Sequence, residues 1–146
     1  MPSQQKRYEY LEHTADIKFI AYGKTPEEVF ENAALAMFNV IIDTEKVSDK
    51  TEREISLKSP DLESLLVDWL SEILCLFEVE ETVFRKFTVE SIKEENGEYS
   101  ISARASGEKY YPESHPFETE IKAVTYNQLE IRKVTDGWQA RVVVDI

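Results

Sequence analysis

The chain has 146 residues, 42% of them hydrophobic, with four glycines and five prolines. That is the length of one domain with enough apolar content for a core, and it excludes a low-complexity or loop-dominated chain. Asp and Glu number 29 against 17 Lys and Arg, a net charge of −12. Such a field disfavours an extended grip on nucleic acid or on an anionic membrane, and it suits basic partners or divalent cations.

The lone Cys75 excludes an internal disulfide and a cysteine zinc cluster. It lies in the apolar run of residues 70–77, so a buried structural thiol is expected. No window reaches the roughly 18 apolar residues of a membrane span, and the N-terminus has no apolar signal core. The chain reads as a soluble cytoplasmic protein with one domain over residues 1–146.

Residues 1–7 are polar and read as a loose tail. Residues 17–22 alternate as a strand, with Ile17, Phe19 and Ala21 on one face. Thr25-Pro26-Glu27-Glu28 is a helix start: Thr as N-cap, Pro at the first helical position, and Glu28 placed for a capping box. The helix should run to about residue 42 on a stripe of Val29, Phe30, Ala33, Ala34, Met37, Phe38 and Ile41. Residues 51–58 read as a short strand with one wet face. Ser59-Pro60-Asp61 opens a second helix in the same way. Leu62, Leu65, Leu66, Trp69, Leu70, Ile73, Leu74 and Phe77 give that helix a wide stripe and the centre of the core.

Residues 83–93 and 98–108 read as strands joined through Asn96-Gly97, a pair that tolerates positive φ in a tight hairpin. Residues 109–116 form a polar loop. Residues 117–126 fit either a short helix or a bent strand. Residues 129–135 and 138–144 make a final hairpin through Asp136-Gly137. The order predicts an α+β domain, two main helices packed on an antiparallel-rich sheet.

Three segments could carry chemistry. Glu12-His13-Thr14-Ala15-Asp16 packs two carboxylates, an imidazole and a hydroxyl at the entrance of the first predicted strand; the plainer alternative is a polar loop bonded to its own backbone. Val142-Val143-Val144-Asp145-Ile146 carries a strand pattern to the last residue, where Asp145 and the α-carboxylate put two oxygen anions side by side. The alternative there is a strand end in water. The third segment runs from Ser114-His115 through Glu118, Glu120 and Lys122 to Tyr126, and its plain reading is a loop leading into an amphipathic element. Phosphate loops, nucleophile elbows and zincin motifs are absent. With two His and one Cys, any metal here would rest on hard oxygen ligands, which points to Ca²⁺ or Mg²⁺.

Taken in order, these segments resemble the archease family. The resemblance lies in His13-Thr14-Ala15-Asp16, the capped helix ending in Met37-Phe38, and Leu65-Leu66-Val67-Asp68-Trp69-Leu70. It continues through Glu120-Ile121-Lys122-Ala123-Val124-Thr125-Tyr126 and the final Val144-Asp145-Ile146, and so covers the chain from Tyr8 onward. It implies an α+β fold related to strand-helix-strand-strand modules. It implies a non-catalytic, metal-binding activator of the tRNA-splicing RNA ligase. That enzyme joins a 2′,3′-cyclic phosphate or 3′-phosphate end to a 5′-hydroxyl end through a guanylylated histidine, using GTP and a metal.

The family's metal is usually Ca²⁺, with Mg²⁺ or Mn²⁺ open. On this chain the implied ligands are Asp16, Asp145 and a backbone oxygen of Ile146. His13, His115 and Lys122 are supporting or partner-contact candidates. A physical condition goes with this reading: the strands that carry Asp16 and Asp145 must be neighbours, with those ends together. The competing functions are a general chaperone or binding module for RNA-processing enzymes and a small metal-dependent hydrolase.

Overall fold

Alternation fixes which side of each strand is dry, and helix caps fix where the chain turns. The computed structural model describes residues 6–11 and 16–146. Its strands and helices run β1 (Tyr8–Leu11), β2 (Asp16–Gly23), α1 (Pro26–Ile41), β3 (Thr51–Ser59), α2 (Leu62–Glu80), β4 (Thr82–Glu95), β5 (Glu98–Lys109), β6 (Ala123–Val134) and β7 (Gly137–Asp145), with a single 3-10 turn at Thr44–Lys46. The architecture is the expected α+β. The strands divide into two antiparallel sheets, one in the order β1-β2-β7-β6 and one in the order β3-β5-β4.

Phe19 and Ala21 face inward from β2, opposite Val142 and Ala140 of β7, and all four are fully buried. α1 packs against both β2 and β4, so it bridges the two sheets. Thr25 caps it by accepting the Glu28 N–H at 3.2 Å. The return bond of the expected capping box lands one residue early, where Glu28 accepts the Lys24 N–H at 3.2 Å.

α2 supplies the largest buried side chain, Trp69, whose Nε1–H donates to Phe30 O of α1 at 2.9 Å. Phe38 of α1 stands edge-on to Phe77, Phe84 and Phe87, which ties both helices to β4. Such edge-to-face contacts add roughly 0.5–1.5 kcal/mol per pair beyond burial.

The second helix begins two residues later than Ser59-Pro60 suggests. Asp61 is the N-cap and accepts the Ser64 N–H at 2.7 Å, while Ser59 ends β3 and donates to Asp68 Oδ2 at 2.6 Å. Cys75 departs from expectation altogether. It is exposed on α2, because the buried stripe of that helix passes through Leu74 and Leu76 on either side of it.

Residues 117–122 are irregular, and β6 then runs from Ala123 with a bulge between Thr125 and Glu130, so the predicted strand at 129–135 is only its second half. β1 is a strand that composition did not suggest. Asn96 and Gly97, at φ 52° and 81°, make the hairpin turn as expected.

Two features protect and compact the three-stranded sheet. Strand β4 lies at its edge, and α1 caps part of that edge: Glu31 Oε2 accepts the Val89 N–H at 2.8 Å and Glu27 Oε2 accepts the Ile92 N–H at 3.2 Å. Unpaired edge amides would otherwise invite a foreign strand. On β5, Gly107 lies so close under β4 that a Cβ there would sit 1.9 Å from Val83 O. Among the described residues, no helix is long and apolar enough to cross a membrane.

Candidate metal centre at the ends of two neighbouring strands

Strand register decides the geometry of this site. β2 and β7 are antiparallel neighbours, and Asp16 pairs directly with Asp145. Ile17, Phe19 and Ala21 occupy the dry side, so Asp16 and Lys18 belong to the opposite, outer side of the sheet. Directly opposed residues in an antiparallel pair project to the same face, with Cβ atoms about 5 Å apart. The row across the sheet is therefore Asp16, Asp145 and Ala123, since Ala123 of β6 pairs with Asp145 from the other side. Asp145 is exposed and Asp16 half-buried.

The other candidates fall around this row. Lys122 is exposed beside it, and its backbone N–H donates to Asp145 O at 2.8 Å. Ile146 follows Asp145 at 39% exposure. His13 lies outside the described residues. His115 is not at the strand ends and has no surface to offer a partner: it is 1% exposed, folded under Tyr110 and Tyr111, and bonded to Glu108. Lys18 is a neighbour the sequence reading passed over, two positions along the same face, with its Nζ donating to Gln128 Oε1 at 3.0 Å. Its i+2 spacing from Asp16 was the available signal.

The donor set suits a hard cation. Two carboxylates from different strands converge without a soft ligand, and neutral backbone oxygens lie at hand. The Asp145 carbonyl accepts the Lys122 N–H, and the backbone of Ile146 follows directly. Among the described residues no group of three or more His, Cys, Asp or Glu side chains is placed to hold a metal ion.

Away from this row, a concavity of about 1170 Å³ runs along α1. Lys6, Arg7, Arg85 and Lys86 line it together with Glu28, Glu31, Glu45 and Asp136, so its charges balance. Its amides serve the fold: Asn32 Nδ2 donates to Tyr22 O at 2.6 Å and Asn39 Nδ2 to Tyr8 Oη at 3.1 Å. Burial raises the Glu31 carboxyl above its ordinary range, with the Val89 N–H opposing it.

Two helices packed on two antiparallel sheets define an α+β domain, and comparison with known proteins places the chain among proteins of that fold. Residues 8–146 match the model of the Archease protein family (MTH1598/TM1083). The chain is 81% identical to the archease of Methanosarcina mazei over the full length of both. It is 46% identical to that of Pyrococcus abyssi over 97% of this chain and 99% of the relative. The solution structure of Methanobacterium thermoautotrophicum protein 1598 superposes with a TM-score of 0.86 at 42% identity, covering 97% of this chain and 100% of that one. The Thermotoga maritima archease, described as a possible chaperone, shares the fold at a TM-score of 0.59 and 23% identity over the full length of both chains. The chain belongs to the archease family.

Proposed function

We propose that this protein is a non-catalytic activator of the tRNA-splicing RNA ligase, working in the cytoplasm. In this reading it promotes guanylylation of the ligase by GTP and so sustains repeated joining of 2′,3′-cyclic phosphate or 3′-phosphate ends to 5′-hydroxyl ends. The observation that carries the reading is the direct pairing of Asp16 with Asp145 in a chain of this family.

Asp16, Asp145 and a backbone oxygen of Ile146 would hold a divalent cation, Ca²⁺ in the family's usual assignment, with Mg²⁺ or Mn²⁺ as alternatives. The cation, when bound, supplies a compact positive charge at an otherwise anionic tip. The chain's own part is positional. The β2–β7 ladder holds the backbones of Asp16 and Asp145 opposite one another, and the Lys122 N–H holds the backbone of Asp145 in place. A net charge of −12 steers the protein toward a basic active-site mouth and away from bare RNA. Activation then follows from tighter binding to the guanylylation-competent ligase than to its spent form.

The test is ligase guanylylation and product formation with and without this protein. The expected result is many products per ligase only in its presence, lost with Asp16→Ala or Asp145→Ala at unchanged fold. Stimulation should weaken as salt rises. Equal protection of unrelated enzymes from aggregation would favour a general chaperone instead. Phosphoester turnover by the protein alone would favour a hydrolase.

A further inference from the structure

His115 and Glu108 form a buried pair that the candidate metal centre does not use. The His115 side chain has no solvent contact. Its Nδ1 accepts the Tyr111 N–H at 2.9 Å, which requires that nitrogen to be unprotonated. The proton of the neutral ring is therefore on Nε2, which donates to Glu108 Oε2 at 2.8 Å. Glu108, 7% exposed, also accepts the Ser48 N–H at 2.8 Å and faces Lys50 Nζ at 3.6 Å. The Tyr110 and Tyr111 rings stack on the imidazole with centroids at 6.1 and 6.4 Å. The titratable groups facing His115 are thus Glu108 from β5, Lys50 from the segment ahead of β3, and Tyr110 and Tyr111 from its own segment.

That segment, residues 110–122, carries the chain from the three-stranded to the four-stranded sheet without a strand or helix. Its backbone is tied at few points. The Tyr110 N–H donates to Glu81 O at 2.7 Å, the His115 N–H to Tyr111 O at 2.8 Å, the Glu118 N–H to Ile41 O at 2.8 Å and the Lys122 N–H to Asp145 O at 2.8 Å. Ile121 plugs it into the core. The last tie is the one that steadies Asp145.

We propose that His115 is a proton-operated latch: the neutral imidazole closes the 110–122 strap onto the body of the protein, and protonation of the ring releases it and loosens the Lys122 contact with Asp145. An imidazolium has a donor on each nitrogen and no acceptor. Its Nδ1–H would point at the Tyr111 N–H, two donors face to face on a ring that has no solvent contact of its own. Glu108 offsets the added charge across Nε2, but it does nothing for the opposed donors at Nδ1. Relief comes from opening the turn at residues 111–115. The latch itself stands apart from the metal; only its effect on the strand-end site rests on the ligand reading above.

The test uses the full, isotope-labelled chain, followed by NMR as the pH is lowered from above neutrality to the acid limit of the fold. The nitrogen shifts of His115 report its tautomer and charge, and hydrogen exchange reports the strap. The expected result is an Nε2–H tautomer at high pH. As the ring protonates, the amides of Tyr111, His115 and Lys122 should exchange roughly tenfold faster or more, beyond the intrinsic effect of pH, while α2 and β5 stay protected. Glu108→Gln keeps an acceptor oxygen but removes the compensating charge, so release should move to lower pH. A ring that stays neutral until the whole protein unfolds would overturn the latch, as would a ring that protonates with strap exchange unchanged. Calcium affinity over the same range separates the two readings. A strap that opens in a protein that binds no calcium at any pH overturns the ligand assignment and leaves the latch standing. A strap that never opens overturns the latch whatever calcium does.

Discussion

Replacing Asp145 by Asn should change stability in opposite directions with and without a divalent cation. In the pairing of β2 with β7, Asp145 faces Asp16 directly. Two unit charges about 5 Å apart in water repel by about 0.8 kcal/mol, and like charges directly opposed on neighbouring strands cost about 0.2–1 kcal/mol. With chelator present, Asp145→Asn should therefore stabilise the fold by about 0.5 kcal/mol. For a chain of this size that raises Tm by about 1–2 °C. Calcium at about a hundred times its Kd adds about 2.7 kcal/mol to a protein that binds it only when folded, or about 5–10 °C. The wild-type protein should show that gain and Asp145→Asn should lose most of it. Thermal unfolding by circular dichroism, with chelator and with calcium, reads both effects. The wild type should melt below the variant in chelator and above it in calcium. A variant that melts lower in chelator and keeps the full calcium shift would refute the reasoning.

Two further substitutions probe the frame that holds the site. Burial raises the Glu31 carboxyl, so the native state takes up a proton more readily than the unfolded chain, and stability falls as pH rises from the ordinary glutamate range through the raised value. Glu31→Gln keeps an acceptor for the Val89 N–H and should stabilise by on the order of 0.5 kcal/mol at neutral pH, with no gain below about pH 4, as urea unfolding across pH would show. Gly107→Ala should cost about 3 kcal/mol or more, because its Cβ would stand 1.9 Å from Val83 O. A loss under about 1 kcal/mol in denaturant titration would show that β4 yields easily at its bulge.

Much of the frame was legible because local chemistry and tertiary packing agree. Thr25-Pro26 caps α1, Asn96-Gly97 makes the hairpin, and the eight-residue stripe through Trp69 lies on the buried side of α2. The juxtaposition of Asp16 and Asp145 was legible only as a condition, because strand pairing is a long-range fact; the β2–β7 register meets it.

What escaped depended on neighbours from distant parts of the chain. Cys75 sits between two buried leucines, and a run of apolar residues does not say which of them points outward. Strand β1 is too short to announce itself and exists by pairing with β2, where Tyr10 meets Phe19. The split into two sheets goes with α1 and α2, each of which packs against strands of both. His115 looked like surface in a polar loop. It is buried because Glu108, from the end of β5, supplies the acceptor that its Nε2–H needs.

The most direct test of the central claim is anomalous scattering from a crystal of this protein grown with Mn²⁺. The account predicts a single strong peak between the Asp16 and Asp145 carboxylates, within bonding distance of an Ile146 oxygen. A fully occupied ion elsewhere, with those carboxylates bound only to water, would contradict it.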